Sequence, residues 1–364
     1  MKRDIEVFIL KILEYIFPKP VFDKIIIGWR RRVNRVTGYY PDAVFFSKKK
    51  SNKKYCVVRY ATPTFGIMAA GIQYIFCYYK LINRGYIPVL DLEYEFSYKK
   101  GRIGEHGMWD LCFEQTMTAK DVRNEKYVLA TGGLFDYSKD EEVSEWLNGD
   151  REDHFLHTKK DDFREYYAKA KKIVEPIWQV KRSILEELDD EIGNELREHR
   201  VLGVFLRENF SNDIVQTERK DIEIYSNHPL LPTVDEIVDI IKNDLNHWNF
   251  EKIYVSATYS ESVSIMRREF GDQVIGIHRT SELSKKDREL GFSNSDIELY
   301  DAVKKNNEWY CNKNISYVKD LVALSKCTYF LGGPCSGSAT ALTMNGGKYE
   351  DIYILEDRRK ITRY

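Results

Sequence analysis

Residues 321–347 read LVALSKCTYFLGGPCSGSATALTMNGG, and this stretch decides the fold. We interpret it as a helix end, a buried strand at 328–331, a Gly- and Ser-rich loop at 332–338, and a helix that begins near Ala339. Such a loop favours anion binding, because free backbone N–H groups and the helix dipole meet at a helix N-terminus. An ordinary strand–helix turn has the same composition, since Gly and Ser also cap helices. The stretch alone leaves both interpretations open.

Size and composition predict a folded protein with two domains. Of the 364 residues, 43% are apolar and 13% aromatic, which excludes a disordered chain and suffices for two domains. The six cysteines form no CxxC pair, so neither a disulfide framework nor a zinc site is predicted. A reducing compartment, the cytoplasm, fits them best.

Residues 1–54 form a basic arm, with 14 Lys and Arg against 5 Asp and Glu. Apolar residues at 5, 8, 9, 12, 13 and 16 follow the spacing of one helix face, and Pro18 ends that helix. Trp29 and the arginines at 30–32 and 35 come next. Two interpretations stay open: residues 1–36 anchor the protein peripherally on the anionic inner face of a membrane, or the apolar stripe packs on the protein's own core. We expect no signal peptide, no transmembrane helix and no nucleic-acid partner.

The first domain, residues 55–185, begins with a βαβ unit. A strand at 55–60, a turn at 61–66, a helix at 67–83 capped by Gly85 and a strand at 86–90 lead to Asp91. The right-handed crossover places the turn and Asp91 at the carboxyl edge of the sheet, where ligands bind. Asp91 is therefore a candidate for acid–base chemistry, with a capping role as the alternative. The turn lacks GxGxxG, so no dinucleotide site is predicted.

The second domain, residues 186–364, alternates strands and helices. Residues 161–200, which precede it, predict one or two long helices, with Pro176 at a kink or a junction. Strands at 201–206, 252–256, 273–277, 328–331 and 352–355 alternate with helices at 234–248, 260–270, 295–305, 316–325 and from 339. Thr233 and Glu236 form a capping box at the first of these helices. This order predicts a doubly wound parallel sheet.

Six residues in loops of the second domain are candidates for binding a phosphorylated ligand. Arg207 follows the first strand and offers bidentate contacts to a diphosphate, although a salt bridge to a neighbouring acid is the alternative. Thr258 follows the second strand, and the loop at 332–338 contributes Ser336, Gly337 and Ser338. His228 is a donor to a phosphate or a base, or else an ordinary loop histidine.

Several segments, in this order, resemble the fucosyltransferase-type GT-B glycosyltransferases. They are GVFLRENF (203–210), HPLLPTVDEIVDII (228–241), KIYVSAT (252–258) and residues 321–345, preceded by residues 57–92 and by MWDLCFEQ (108–115). The resemblance covers about residues 55–357 and implies two doubly wound βα domains that face a cleft. The family includes α-1,6-, α-1,2- and Nod-factor fucosyltransferases and bacterial capsule or exopolysaccharide enzymes.

The resemblance implies a glycosyltransferase that moves a sugar, with GDP-fucose as the first donor to consider, to a surface polysaccharide or its lipid-linked precursor. Such enzymes invert the anomeric carbon without a metal or cofactor, since Arg207 and helix amides stabilise the leaving diphosphate. Asp91, Glu93 and Glu114 are candidates for the base, and Asp91 is favoured because it ends a strand at the cleft edge. Phe205 stands where relatives carry His, and Tyr259 and Ser260 replace an acidic pair. These departures favour an alternative, a non-catalytic nucleotide- or glycan-binding member of a polysaccharide assembly complex.

Overall fold

The computed structural model describes residues 12–13, 15–18, 21, 44–46, 53, 55–60, 67–83, 85–92, 108–118, 121–124, 127–131, 163–206, 233–257, 259–278 and 307–355. The chain divides into two compact units, Met1–Ser144 with Ile177–Gln179 and Glu145–Pro176 with Val180–Tyr364. Each unit is built on a sheet with parallel strands and helices, which confirms the predicted α/β class. Within these residues no helix has the length and apolar character needed to cross a bilayer.

The first unit contains a four-stranded sheet in the order β1-β4-β2-β3. Strand β2 pairs in parallel with β3 and β4, while β1 and β4 are antiparallel. Its elements are β1 (Val44–Phe46), β2 (Tyr55–Tyr60), α1 (Ile67–Ile82), β3 (Ile87–Leu92), α2 (Met108–Cys112), a 3-10 turn (Asp121–Asn124) and β4 (Tyr127–Thr131). As predicted, Gly85 follows α1 with a left-handed φ of 74°, a conformation that favours glycine.

Strand β3, at one end of this strand order, is held by a side chain. The Gln115 amide accepts from the Leu90 N–H at 2.7 Å and donates to the Leu90 carbonyl at 3.1 Å, as a neighbouring strand does. A third bond, 2.7 Å long, joins its Nε2 to Asp110. Trp109 and Phe113 of the same segment are buried and stack at 4.1 Å. This segment therefore packs as core, the role that its aromatic residues favour.

The second unit contains a five-stranded, fully parallel sheet in the order β7-β6-β5-β8-β9. Its strands are β5 (Val201–Leu206), β6 (Lys252–Ala257), β7 (Val274–Ile275), β8 (Tyr329–Gly332) and β9 (Asp351–Ile354). All six residues of the central strand β5 are buried, as expected of a strand covered on both faces.

Six helices accompany these strands in the described part of the unit. They are α3 (Phe163–Val174), α4 (Arg182–Glu198), α5 (Val234–Asn243), α6 (Ser260–Phe270), α7 (Asn307–Lys326) and α8 (Ser336–Asn345). The predicted capping box of α5 is confirmed: the Thr233 hydroxyl accepts from the Glu236 N–H at 3.3 Å, and the Glu236 carboxylate accepts from the Thr233 N–H at 2.8 Å. In the structure the segment around Pro176 forms two helices, α3 and α4, rather than one kinked helix.

Several sequence-based boundaries differ from the structure. Helix α8 begins at Ser336 rather than near Ala339, β3 continues through Asp91 to Leu92, and α5 ends at Asn243 rather than at 248. The sequence-based domain boundary at 185/186 assigns α3 to the first domain. In the structure α3 packs against α8 and lies in the second unit. The predicted helix at 295–305 and most of the arm at 1–54 lie outside the described residues.

An arginine cluster holds the amino-terminal edge of the second sheet. Arg200 Nη1 donates to Glu350 Oε1 at 2.8 Å, and its Nε donates to the Asn249 carbonyl at 2.9 Å. The guanidinium also donates to the Tyr329 hydroxyl and lies 5.2 Å from that ring's centroid. The hydrogen bond from Arg200 holds the pKa of the Glu350 carboxyl below its ordinary value. The cluster ties β5, β8 and the start of β9 at the edge opposite the candidate site.

Candidate functional site

The strand order creates a crevice at the carboxyl edge of the second sheet. The chain runs outward from β5 through β6 to β7, and then continues on the other side of β5 with β8 and β9. In open parallel sheets, ligands bind where the strand order reverses, and here that point lies between β5 and β8. Phe205 pairs in register with Gly332 at this place.

Helix α8 begins directly at the crevice. Gly333, Pro334 and Cys335 separate it from β8. Cys335 is the N-cap, with an extended backbone (φ −157°) and no hydrogen bond from a helix backbone N–H to its side chain, while its carbonyl accepts from the Ala339 N–H at 3.0 Å. The N–H groups of the first turn, residues 336–338, have no acceptor within a helix and carry its positive dipole end. This geometry suits an anion such as a phosphate.

Two aromatic side chains cover one side of this first turn. A Cβ atom added to Gly337 would lie 2.5 Å from Phe205 Cζ and 2.7 Å from the Tyr317 hydroxyl. The two rings are 6.5 Å apart between centroids, and Phe205 is buried. Glycine is needed at 337 because the rings approach the helix backbone too closely for any side chain.

The serines of the first turn have different environments. Ser338 is fully buried, and its hydroxyl lies 3.5 Å from Cys335 Sγ. Ser336 is partly exposed, and its carbonyl accepts from the Thr340 hydroxyl at 2.7 Å. Of the two serines, Ser336 therefore has the side chain that a ligand reaches, whereas the Ser338 side chain is enclosed by the protein.

Buried polar contacts fix α7, the helix that carries Tyr317. The Tyr254 hydroxyl of β6 donates to Asp320 at 2.6 Å, and both groups are buried. The Lys319 ammonium, on a side chain only 6% exposed, lies 2.6 Å from Glu191 and 3.2 Å from Glu187 of α4. Because buried charges are costly unless paired, these contacts tie α7 to both the sheet and α4. They hold Tyr317 in place beside Phe205.

The remaining candidates from the sequence lie elsewhere or outside the described residues. Asp91 is the penultimate residue of β3 in the first unit, paired in register with Arg59, and its side chain is fully buried. It therefore lies inside the strand, not after it as the sequence suggested. Arg207, His228 and Thr258 fall outside the described residues. The strands that precede Arg207 and Thr258 in the sequence end side by side, since Leu206 pairs with Ala257.

Sequence reasoning did not identify Tyr317 and noted Phe205 only as a departure from the resembling family. Tyr317 is separated from Gly337 by a helix end, a strand and a turn, so no local pattern indicates their contact. In the part of the chain that the structure describes, no group of three or more His, Cys, Asp or Glu residues is arranged to hold a metal ion.

Comparison with known proteins found structural similarity alone. No protein-family model and no curated protein matches the chain. The fucosyltransferase NodZ from Bradyrhizobium is 10% identical, with a TM-score of 0.40 over 80% of this chain and 92% of that one. POFUT1 in complex with GDP-fucose is 10% identical, with a TM-score of 0.46 over 86% and 100% of the two chains. A variant of FUT1 from Arabidopsis thaliana in complex with GDP is 10% identical, with a TM-score of 0.41 over 91% and 75%. At 10% identity, these likenesses concern the fold alone.

Proposed function

We propose that this chain is a glycosyltransferase that uses a nucleoside-diphosphate sugar and binds the donor's diphosphate at the first turn of α8. The observation that carries the proposal is the position of that turn: α8 begins at the point where the strand order reverses, between β5 and β8. The ordered resemblance of the sequence to fucosyltransferases supports transfer of a sugar rather than another reaction of a nucleotide.

The proposed reaction inverts the anomeric carbon of the donor sugar. An acceptor hydroxyl loses its proton to a base and bonds to that carbon, while the bond from the carbon to the diphosphate oxygen breaks. The N–H groups at 336–338 and the Arg207 guanidinium stabilise the negative charge that develops on the diphosphate. We propose GDP-fucose as the first donor to test, a surface polysaccharide or its lipid-linked precursor as the acceptor, and no metal or cofactor in the step.

His228 and Thr258 complete the proposed donor site. Thr258 follows β6, the strand next to β5, and a hydroxyl there suits a phosphate or sugar oxygen. His228 suits a phosphate or the nucleobase, since imidazole both donates and accepts hydrogen bonds. Alanine at either position should raise the dissociation constant for the donor without changing the melting temperature. An unchanged dissociation constant would remove that residue from the site.

Ser336→Asp tests the diphosphate site with a matched control. A carboxylate in the first turn of a helix is favourable to the helix, but it repels a bound diphosphate. Calorimetric titration of the full chain with GDP should show binding lost, while the melting temperature stays equal or rises. Ser336→Asn has the same shape without the charge and should bind GDP at least about tenfold more tightly than Ser336→Asp. Equal binding by the two variants contradicts a phosphate at this turn.

Arg207 is tested by a graded pair of substitutions. Arg207→Ala should weaken GDP binding by about 10- to 100-fold, the effect of a charge-assisted contact, and Arg207→Lys should recover part of it because the charge remains. Arg182→Ala is the control, because that arginine is 90% exposed on α4 and pairs along its own helix with Glu186. If Arg207→Ala and Arg182→Ala bind GDP alike, the guanidinium at 207 does not contact the donor.

Asp91 is proposed as the base, but its burial within β3 gives it a second interpretation as a structural residue. Asp91→Asn separates the two roles. If Asp91 is the base, the variant should lose turnover with little change in the free energy of unfolding and in donor binding. If Asp91 is a structural residue, the variant should have a lower free energy of unfolding. A stable Asp91→Asn variant with undiminished turnover contradicts the catalytic role.

A second candidate function is a non-catalytic nucleotide- or glycan-binding member of a polysaccharide assembly complex. It is favoured by Phe205 and Tyr317, which cover Gly337 and restrict the access of a ligand to the first turn of α8 on one side. The two functions are separated by incubating GDP-fucose with the protein and an acceptor extract. Release of free GDP that depends on the acceptor identifies the enzyme, and tight binding of GDP without release identifies the binding member.

A further inference from the structure

The N-terminal segment exposes apolar side chains to solvent. Residues 12–13 and 15–16 are helical, and the Phe17 N–H donates to the Leu13 carbonyl at 2.9 Å. The exposed fraction is 40% for Ile12 and 61% for Ile16, two residues that lie one turn apart on the same helix face. Tyr15, Phe17 and Val21 are 92%, 37% and 42% exposed. Two of the three described residues of the stripe, Ile12 and Ile16, are therefore exposed, while Leu13 is partly buried.

Positive charge surrounds these apolar residues in the sequence. Residues 1–54 contain 14 Lys and Arg against 5 Asp and Glu, although the whole chain has a net charge of −1. Trp29 is followed by a basic cluster that consists of Arg30, Arg31, Arg32 and Arg35. Apolar side chains beside arginines and a tryptophan match the boundary between lipid headgroups and acyl chains.

We propose that residues 1–36 dock on an anionic lipid membrane, with Ile12 and Ile16 inserted among the acyl chains and the basic cluster on the headgroups. Charge selects an anionic surface as the occupant, because residues 1–54 contain 14 Lys and Arg against 5 Asp and Glu. The proposal rests on exposure and charge in the arm and is independent of the proposed glycosyltransferase function. A chain that fails to bind GDP would leave the membrane proposal intact, and a chain that fails to bind vesicles would leave the glycosyltransferase proposal intact.

The apolar part of the proposal is tested by flotation of the full chain with vesicles of phosphatidylcholine and phosphatidylglycerol. Ile12→Asp together with Ile16→Asp should weaken partitioning at least about a hundredfold, since each burial is worth about a factor of ten. Ile82→Asp is the matched control, because Ile82 is 43% exposed at the end of α1, and it should partition as the unaltered chain does. Equal partitioning of all three proteins overturns the proposal.

The charge part is tested by changing the four residues of the basic cluster to Gln. Each arginine near an anionic surface is worth about a factor of five, so the variant should bind the same vesicles more than about a hundredfold less tightly. Vesicles of phosphatidylcholine alone should bind the unaltered chain weakly, and salt should weaken its binding to the anionic ones. Equal binding to neutral and anionic vesicles overturns the proposal. So does a stable dimer in place of vesicle binding, if the Ile12→Asp, Ile16→Asp variant dissociates it.

Discussion

Gly337→Ala should destabilise the second unit, although the same change usually stabilises a helix. Alanine gains at most about 1 kcal/mol over glycine from helix propensity. Here the new methyl group would lie 2.5 Å from Phe205 Cζ, 2.7 Å from Phe205 Cε1 and 2.7 Å from the Tyr317 hydroxyl. Phe205 is buried in the central strand and cannot turn away, so the methyl group overpacks the site at a cost of about 1–3 kcal/mol.

The net loss expected for Gly337→Ala is about 1–2 kcal/mol in the free energy of unfolding, measured by urea denaturation followed by circular dichroism. Gly193→Ala in α4 is the matched control. Its methyl group would meet the Asp189 carboxylate and the Arg197 guanidinium. These two side chains form a surface ion pair and are 46% and 56% exposed, so they can shift at little cost. That variant should be as stable as the unaltered chain or more stable by up to about 1 kcal/mol.

A double-mutant cycle attributes the loss to the ring. In a Phe205→Leu background the atoms nearest to the new methyl group are gone, so Gly337→Ala should cost about 1–2 kcal/mol less than it does alone. Two results would refute the reasoning: a gain in stability for Gly337→Ala equal to that of Gly193→Ala, or a loss that stays the same with Phe205→Leu.

Three further predictions concern contacts that lie within one unit or the other. Gln115→Met should lower the free energy of unfolding by about 2–3 kcal/mol, because both buried backbone groups of Leu90 lose their partner. Glu114→Met, at an exposed neighbouring position, should have no such effect. If both variants lose the same free energy of unfolding in denaturant titrations, the hydrogen bonds from Gln115 to Leu90 do not stabilise β3. Thr233→Ala should cost about 1 kcal/mol by the same assay, whereas Glu236→Gln retains most of the capping box; equal losses contradict the box. Since its folded pKa lies below the ordinary value of 4.5, Glu350 contributes stability above that pH and loses the contribution as the pH falls through the folded pKa. Glu350→Gln should therefore flatten the acid limb of a plot of melting temperature against pH, and a curve parallel to that of the unaltered chain argues against this role.

The strands of the second sheet, and β2 and β3 of the first, could be predicted because their signal is local, whereas β1 and β4 were not predicted. The run VLGVFL at 201–206 is apolar throughout, which matches a strand buried on both faces. The Thr233 and Glu236 pair could also be predicted, since a capping box needs residues only three positions apart. Alternation of strands and helices then gave a parallel sheet without further information.

The start of α8 could not be predicted in the same way. Residues 332–338 combine Gly, Pro and Ser, which favour turns, and their helix propensity is low. In the structure Ser336, Gly337 and Ser338 are helical because α8 is packed against α7 and α3 and is buried along nearly its whole length. Tertiary packing therefore outweighs propensity in this turn. Strand β3 extends past the predicted end for a related reason, since Asp91 is paired in register with Arg59.

The earlier helix start changes what each residue of the Gly- and Ser-rich sequence does. A loop at 332–338 would use its glycines to let a phosphate approach the backbone closely. In the structure Gly337 faces Phe205 and Tyr317 instead, and a Cβ atom at Gly332 would lie 2.7 Å from Phe330 Cζ and 3.0 Å from the Ser338 hydroxyl. Packing within the protein therefore explains Gly332 and Gly337 without any role in binding a ligand. What remains for an anion is the set of N–H groups in the first turn and the partly exposed Ser336. For that reason a charge at 336, rather than a side chain at either glycine, distinguishes a diphosphate site from an ordinary turn between strand and helix.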